Sequence, residues 1–318
     1  MAFSNTKKPL KAFRLHGLGQ GSTYSILYYA VDSVVHQQAI DSILAVIDSS
    51  MSLYKKNSLI NQFNASVHGI EIDAHFKKVM RKAFEIYKNS GGIFDVTVKP
   101  LVQAWGFGTS KRGAIPDSTT IEQILQHVGT DKLQLKNNFL HKNDSLVQID
   151  LNGIAQGYTV DVMAAFLEQK NIKNYLVEIG GELMVKGKHP HTGKPFTIAA
   201  ESPDEDVPQK VIALLQGAVT TSGNYRNYYS SGGKNISHLM NAKTGYPLQN
   251  EMISVTIVAK DAITADGYDN VLMGLGLEKS FAFLKKNRDM EAHFIYQNSD
   301  GAVKDTATAG FNKLLVKP

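Results

Sequence analysis

Apolar residues recur along this chain with two periods, and the switches between them lay out its elements. Helical stripes at i, i+3, i+4 and i+7 fall on Ile40, Ile43, Leu44 and Ile47, and on Val160, Met163, Ala164 and Leu167. A third runs through Phe76, Val79, Met80, Ala83 and Tyr87, with Asp73 placed to cap its start and Gly91-Gly92 to end it. Ser118 opens a fourth, through Ile121, Ile124, Leu125 and Val128, which stops at Gly129. Ala265, Tyr268, Leu272 and Leu275 predict another helix, and Phe281 and Leu284 the last. Short apolar runs predict strands over residues 22–29, 146–149, 175–179, 183–185, 196–200, 211–215, 253–258 and 293–296, the last completing the chain. Leu133 and Leu135, Asn137-Asn138 and Phe139 read as a hairpin.

Between these elements lie polar blocks. Ser52 to Asn64 reads as irregular. Trp105-Gly-Phe-Gly108 sets aromatics among glycines, which suits a flat ligand against backbone and a folded-back loop equally. Gly17-Leu-Gly-Gln-Gly21 is not a dinucleotide fingerprint. The third glycine is misplaced and a strand follows, where a helix start would have to hold the pyrophosphate. The block around which the rest is organised is Asp150-Leu-Asn-Gly-Ile-Ala-Gln-Gly-Tyr-Thr-Val-Asp161, running on to Gly180-Gly181. Strand, glycine turn, helix and strand in succession expose backbone N–H groups at a helix start, where an anion can sit. Asp150 looks into the same opening. An ordinary crossover that needs glycines to turn has the same pattern.

With 318 residues and 43% hydrophobic positions the chain can bury a large core, in one domain or two lobes. The absence of cysteine excludes disulfides, thiol nucleophiles, thiolate zinc sites and iron–sulfur clusters. A net charge of +5 favours anionic ligands, but Lys and Arg are scattered, so nucleic-acid binding is not expected. No apolar run has the length of a transmembrane helix, and residues 1–12 are polar and basic with no signal-peptide core.

Asp266, Asp269 and Asn270, at i, i+3 and i+4 of one helix, can converge their oxygens on one hard cation. They serve equally to stabilise a first helical turn against its dipole. Without thiolates or a spaced histidine pair, such a cation is magnesium or calcium. His238, in a block dense with turn residues, is the candidate general base, beside the structural role that most histidines have.

The ordered set of blocks resembles one family, the ApbE flavin transferases, or FAD:protein FMN transferases. It comprises Gln20-Gly-Ser-Thr-Tyr24, Ser52-Leu-Tyr54, Ser58, Phe63-Asn64, Gly91-Gly-Ile-Phe-Asp95-Val-Thr-Val98 with Pro100-Leu101, and Trp105-Gly-Phe-Gly108. It continues with Asp150 to Gly157-Tyr158, Gly180-Gly181, Thr221-Ser-Gly-Asn-Tyr-Arg226, Ser237-His238, Thr244-Gly245 with Pro247, and Thr264-Ala-Asp266. The resemblance implies an α+β fold related to the T-fold: a mixed, largely antiparallel sheet flanked by helices. Residues 1–318 would form a single catalytic domain of two lobes with FAD between them and no internal boundary. It implies magnesium-dependent transfer of FMN from FAD to a Ser or Thr hydroxyl of an acceptor flavoprotein carrying a flavinylation motif, with release of AMP. Transfer to water, which makes the protein a FAD pyrophosphatase, and FAD binding without turnover are the alternatives.

Carried over by position, the flavin contacts are Gln20, Tyr54, Ile93, Phe94, Asp95, Asp150, Gln156 and Met240. The magnesium ligands are Asp266, Asp269, Asn270 and the Gly153 carbonyl, and His238 is the base. Three positions depart from the common family residue: Asn270 stands for Thr, Gln156 for Lys and Gln20 for Met. Family members are commonly exported and lipid-anchored, whereas this sequence shows neither leader nor lipobox cysteine.

Overall fold

The computed structural model describes residues 8–109, 115–203, 207–225, 228–231 and 234–316. Arg226 of the family block lies outside them. The chain opens with the hairpin β1 (Lys11–Gly19) and β2 (Ser22–Ala30), then α1 (Gln37–Met51), α2 (Leu59–Ala65), β3 (Gly69–Glu71) and α3 (Ala74–Ser90). Next come α4 (Lys99–Ala104), α5 (Ser118–Leu125), the hairpin β4 (Leu133–Lys136) and β5 (Phe139–Lys142), and α6 (Ala155–Gln169). Strands β6 (Tyr175–Ile179), β7 (Glu182–Lys186), β8 (Phe196–Ala200), β9 (Lys210–Leu214), β10 (Gln216–Gly223), β11 (Tyr228–Ser231), β12 (Lys234–Ser237) and β13 (Met252–Ala259) follow. The chain closes with α7 (Ala262–Leu275), α8 (Leu277–Lys286), β14 (Glu291–Gln297), β15 (Val303–Ala307) and α9 (Ala309–Leu314).

An eight-stranded sheet in the order β1-β2-β6-β7-β10-β13-β14-β15 is the frame, and each of its pairings is antiparallel. Alternation along the strands divides its two faces. Tyr24, Ile26 and Tyr28 of β2 point to the layer of α1, α3, α6 and α7, and join their stripes in the main core. Tyr29, Val185 and Val219 point the other way, onto the β8–β9 hairpin and Phe311 of α9. A third, smaller cluster lies apart: Leu101, Trp105 and Phe107 with Ile121 and Ile236. The fold is thus the expected α+β arrangement.

Several sequence expectations are corrected. Residues 146–149 form no strand: Leu146 lies in a turn, and Ile149 exchanges its backbone hydrogen bonds with the Asn64 side-chain amide (2.7 and 2.9 Å) rather than with a ladder. The block from Ser52 to Asn64 contains α2, capped by Ser58, whose side chain accepts from Asn61 N, with Ile60 and Phe63 buried beneath it. Ser118 is the first residue of α5, but the cap is Asp117, whose carboxylate accepts from Thr120 N at 2.8 Å. On α3 it is Ile86, not Tyr87, that completes the buried stripe. β1, α4, β15 and α9 were not expected, and Thr220 to Gly223 belong to β10.

Candidate functional site

A cleft of about 390 Å³ opens between the main helix layer and the third cluster, lined on one side by Phe94, Asp266 and Asp269 and on the other by Val98, Phe107 and Met240. Of the residues singled out from sequence, Tyr54, Ile93, Phe94, Asp95, Asp150, Gly153, Gln156, His238, Met240, Asp266, Asp269 and Asn270 all line it. Gln20 does not. It sits at the β1–β2 turn with φ 53° and donates through Nε2 to Thr159 Oγ1 at 2.8 Å, on the helix that carries Gln156.

Ile93 and Phe94 follow directly on the left-handed cap of α3, where Gly91 (φ 63°) and Gly92 (φ 80°) turn the chain into the cleft. Asp95 is committed elsewhere. Its carboxylate accepts from Thr97 N and Oγ1 (2.8 and 2.6 Å) and from Thr130 N and Oγ1 (3.1 and 2.7 Å). It braces the loop, and a ligand would meet mainly the loop it holds. Asp150 lies on the cleft wall, its N–H given to Val96 O and its Oδ1 accepting from Asn152 N at 2.8 Å. Burial raises its carboxyl, against the Asn152 hydrogen bond and the nearby Lys99 charge. Tyr54 is the exposed rim residue, at 72%.

The expected anion site at the start of α6 is mostly closed. Ala155 N donates to Leu151 O (2.9 Å), Tyr158 N to Ile154 O (3.2 Å), and Gly157 N to Asp266 Oδ2 (2.8 Å). The helix start is therefore spent on the protein, chiefly in placing Asp266. Gly157 is glycine for a steric reason: a Cβ there would meet Ala262 O at 2.3 Å and Asp266 Cβ at 2.7 Å.

Asp266, Asp269 and Asn270 do converge. Both carboxylates are buried, with 4% and 2% exposure. Helix-dipole stabilisation does not explain them, because α7 starts at Ala262 and is capped by Asp261, which accepts from Thr264 N at 3.0 Å. Asp269 Oδ2 accepts from Thr220 Oγ1 (2.9 Å), which β10 points at α7. The Asn270 amide nitrogen stands among three oxygens: Asp269 Oδ1 (2.9 Å), Asp266 O (2.9 Å) and Gly153 O (3.4 Å). Among the described residues no lysine or arginine pairs with either carboxylate. Burial, with repulsion from Asp161, pushes the Asp266 carboxyl up to about 7. Asp269 is raised well above the usual carboxylate range by burial and by Asp266 beside it.

Two buried, mutually repelling carboxylates with a carbonyl and an amide close by fit a hard cation, which would supply the missing positive charge. No cluster of three or more His, Cys, Asp or Glu is present among the described residues, so such an ion would draw its other donors from amide and carbonyl oxygens or from substrate. Asp266, Asp269, the Asn270 side chain and Gly153 O would hold magnesium. The amide hands its nitrogen inward here, and rotation by 180° about its terminal bond brings Oδ1 to the same place.

His238 follows β12 at the far wall, with its ring edge-on to Phe107 at 6.3 Å. Its segment is fixed by the third cluster. Trp105 is buried, and its Nε1 donates to Gly245 O at 2.8 Å. Gly245 (φ 76°) belongs to a turn closed by Asn241, which bridges Met240 to Pro247. The tryptophan motif is thus a folded-back loop, and only Phe107 and Gly108 of it reach the cleft. Trp105→Phe keeps an aromatic ring, smaller than the indole, and removes the donor. The expected result is a turnover loss of about 3- to 10-fold with FAD affinity unchanged, read from separate kcat and Kd measurements.

Sequence reasoning did not single out Thr220 or Glu182, and it took Gly157 only as part of the glycine turn. Glu182 lines the cleft and adds to the repulsion on Asp269. Its signal was its place directly after Gly180-Gly181, and that of Thr220 was the alternation of β10.

The family model described as the ApbE family matches residues 20–294. A FAD:protein FMN transferase of Haemophilus influenzae is 37% identical, covering 99% of this chain and 94% of its own. One of Vibrio cholerae is 34% identical over 100% of this chain and 97% of its own. Among solved structures, the flavin transferase ApbE of Vibrio cholerae superposes with a TM-score of 0.88 at 33% identity, covering 96% of this chain and 100% of its own. The apo flavinyl transferase ApbE of Pseudomonas stutzeri gives 0.88 at 32%, covering 96% and 97%. With sequence and fold matched over nearly its whole length, the chain belongs to the ApbE family.

Proposed function

We propose that this protein is a FAD:protein FMN transferase that moves FMN from FAD onto a Ser or Thr hydroxyl of an acceptor flavoprotein, with magnesium and with release of AMP. It works as one catalytic domain of two lobes, FAD lying in the cleft between them. The observation that carries the reading is the meeting of the buried Asp266–Asp269 pair and His238 in one cleft. The names of the relatives support the substrate.

In the proposed reaction the acceptor oxygen attacks the FMN phosphorus in line. The bond from that phosphorus to the bridging oxygen breaks, and its electron pair leaves with AMP. Such transfer needs charge neutralisation and positioning more than covalent help from the protein. Magnesium, when bound, offsets the charge gathering on the phosphates, worth several kcal/mol. His238 takes the hydroxyl proton as the new P–O bond forms. Phe94 and Met240 offer apolar contact to the isoalloxazine, and the Asp150 turn offers polar partners.

The test mixes purified protein, FAD, magnesium and an acceptor carrying a Ser/Thr-Gly-Ala-Thr motif. Covalent flavin fluorescence on the acceptor in a denaturing gel is the expected outcome, with AMP released one for one. FMN and AMP appearing without labelled acceptor would instead make the protein a pyrophosphatase. FAD that binds and stays whole would make it a carrier.

A further inference from the structure

We infer that Asp161 is a positioning residue for the proposed cation site: from α6 it holds the first turn of α7, and so sets where Asp266 and Asp269 lie. Its Oδ1 accepts from Ala262 N at 2.8 Å and its Oδ2 from Ile263 N at 3.0 Å. Four residues earlier on α6, on the same face, Gly157 N donates to Asp266 Oδ2 at 2.8 Å. One turn of α6 therefore grips one turn of α7 at two points, the helix start and the fifth helical residue. Gly157 permits this close approach, because Ala262 O and Asp266 Cβ already fill the place of a Cβ.

An ordinary cap does not account for this arrangement. α7 has its own cap in Asp261, and the N–H groups of a first turn can be satisfied by water. Here a second carboxylate is drawn from another helix into partial burial. It sits close enough to Asp261 and Asp266 to repel both, and burial with the Asp261 charge pushes it up to about 6. Stability alone would be better served by a neutral Ser, Thr or Asn. What the charged, two-oxygen acceptor adds is a bidentate hold on two successive N–H groups, which fixes the rotation of α7 about its axis as well as its height. Rotation of α7 is what would swing Asp266 and Asp269 together toward or away from Gly153 O.

The inference rests on the magnesium reading of that pair, and its test separates the two. With saturating FAD, Mg2+ is titrated into wild type, Asp161→Ala, Asp161→Asn and Asp73→Ala, the last uncapping α3 at a residue that does not line the cleft. Two readouts are taken: the rise in melting temperature with Mg2+, and turnover. Asp161→Asn, which keeps one acceptor oxygen, should raise the half-saturating Mg2+ about 10-fold in both, and Asp161→Ala more. FAD affinity should stay within about twofold and turnover recover at high Mg2+. Asp73→Ala should lower the melting temperature without moving the Mg2+ midpoint. An Asp161→Asn protein that melts earlier but keeps the wild-type midpoint would show a plain cap and overturn the inference, and it serves if Asp161→Ala does not fold. A wild-type melt indifferent to Mg2+ overturns the magnesium reading and this inference with it.

Discussion

Exchanging Asp266 for asparagine is expected to lower magnesium-dependent turnover by about 10²- to 10³-fold while leaving the metal-free protein at least as stable as wild type. The asparagine carbonyl can keep the hydrogen bond from Gly157 N, so the α6–α7 contact survives. What goes is one of two formal charges on the cation site. Raising magnesium should restore part of the rate, since weakened binding is offset by mass action. The stability arm follows from linkage. Without a cation, burial pushes the Asp266 carboxyl of the folded protein up to about 7, well above its unfolded range near 4. Between about pH 4 and 7 the folded state keeps a proton that the unfolded state has released, so unfolding free energy falls as pH rises through that window. Asparagine has no proton to lose. In EDTA the variant should therefore show a flatter melting profile from pH 5 to 8, with a higher melting temperature than wild type at the alkaline end. A helix-dipole role predicts the reverse: a loss of about 0.3–1 kcal/mol and unchanged turnover. Wild-type activity that survives exhaustive chelation would remove magnesium from the reaction.

The parts of the fold legible in the sequence are those whose burial is one-sided and local. The stripes of α1, α3 and α6 name their own core faces, and Ile40, Met80 and Val160 are all fully buried. The parts that escaped have their cause in distant partners. Residues 146–149 look like a strand because three of the four are apolar, but the partner of Ile149 is the side chain of Asn64, 85 residues away. β1 was hidden by Gly17 and Gly19 and by its place at the sheet edge, where none of its residues is fully buried. α2 was hidden by its Asn and Gln content, although Ser58 and the Ile60–Phe63 spacing were a capped turn in plain view.

The site divides in the same way. Motif order brought together residues that the fold gathers in one cleft, from Tyr54 to Asn270. It did not tell what each side chain does there. Asp95 reads like a ligand contact, yet its oxygens are taken by Thr97 and by Thr130, 35 residues on. Gly157 reads like a turn glycine or a phosphate N–H, yet its N–H serves Asp266, 109 residues away. Such assignments depend on which oxygen is within 3 Å of which donor, and residue spacing carries no such information.

His238→Ala is expected to cut turnover by about 10²-fold or more while FAD binding stays within about twofold. The ring stands at the wall of the cleft against the edge of Phe107, and its loss removes little of the apolar surface that the flavin would meet. The backbone on either side has hydrogen bonds of its own: Leu248 N donates to Leu239 O at 2.8 Å, Asn241 N to Tyr246 O at 2.9 Å, and Trp105 anchors Gly245. The turn should therefore keep its shape in the variant, and its melting temperature should lie close to wild type. A lost general base has a further signature. Turnover of the variant should climb with pH toward the alkaline limit, where the acceptor hydroxyl ionises more readily unaided, and the inflection that the imidazole gives the wild-type profile should be absent from the variant's. Flavin fluorescence quenching gives the binding arm, and acceptor labelling at several pH values gives the rate arm. If His238 only shapes the pocket, the result inverts: FAD affinity drops, the rate per bound FAD is preserved, and the pH profile keeps its inflection.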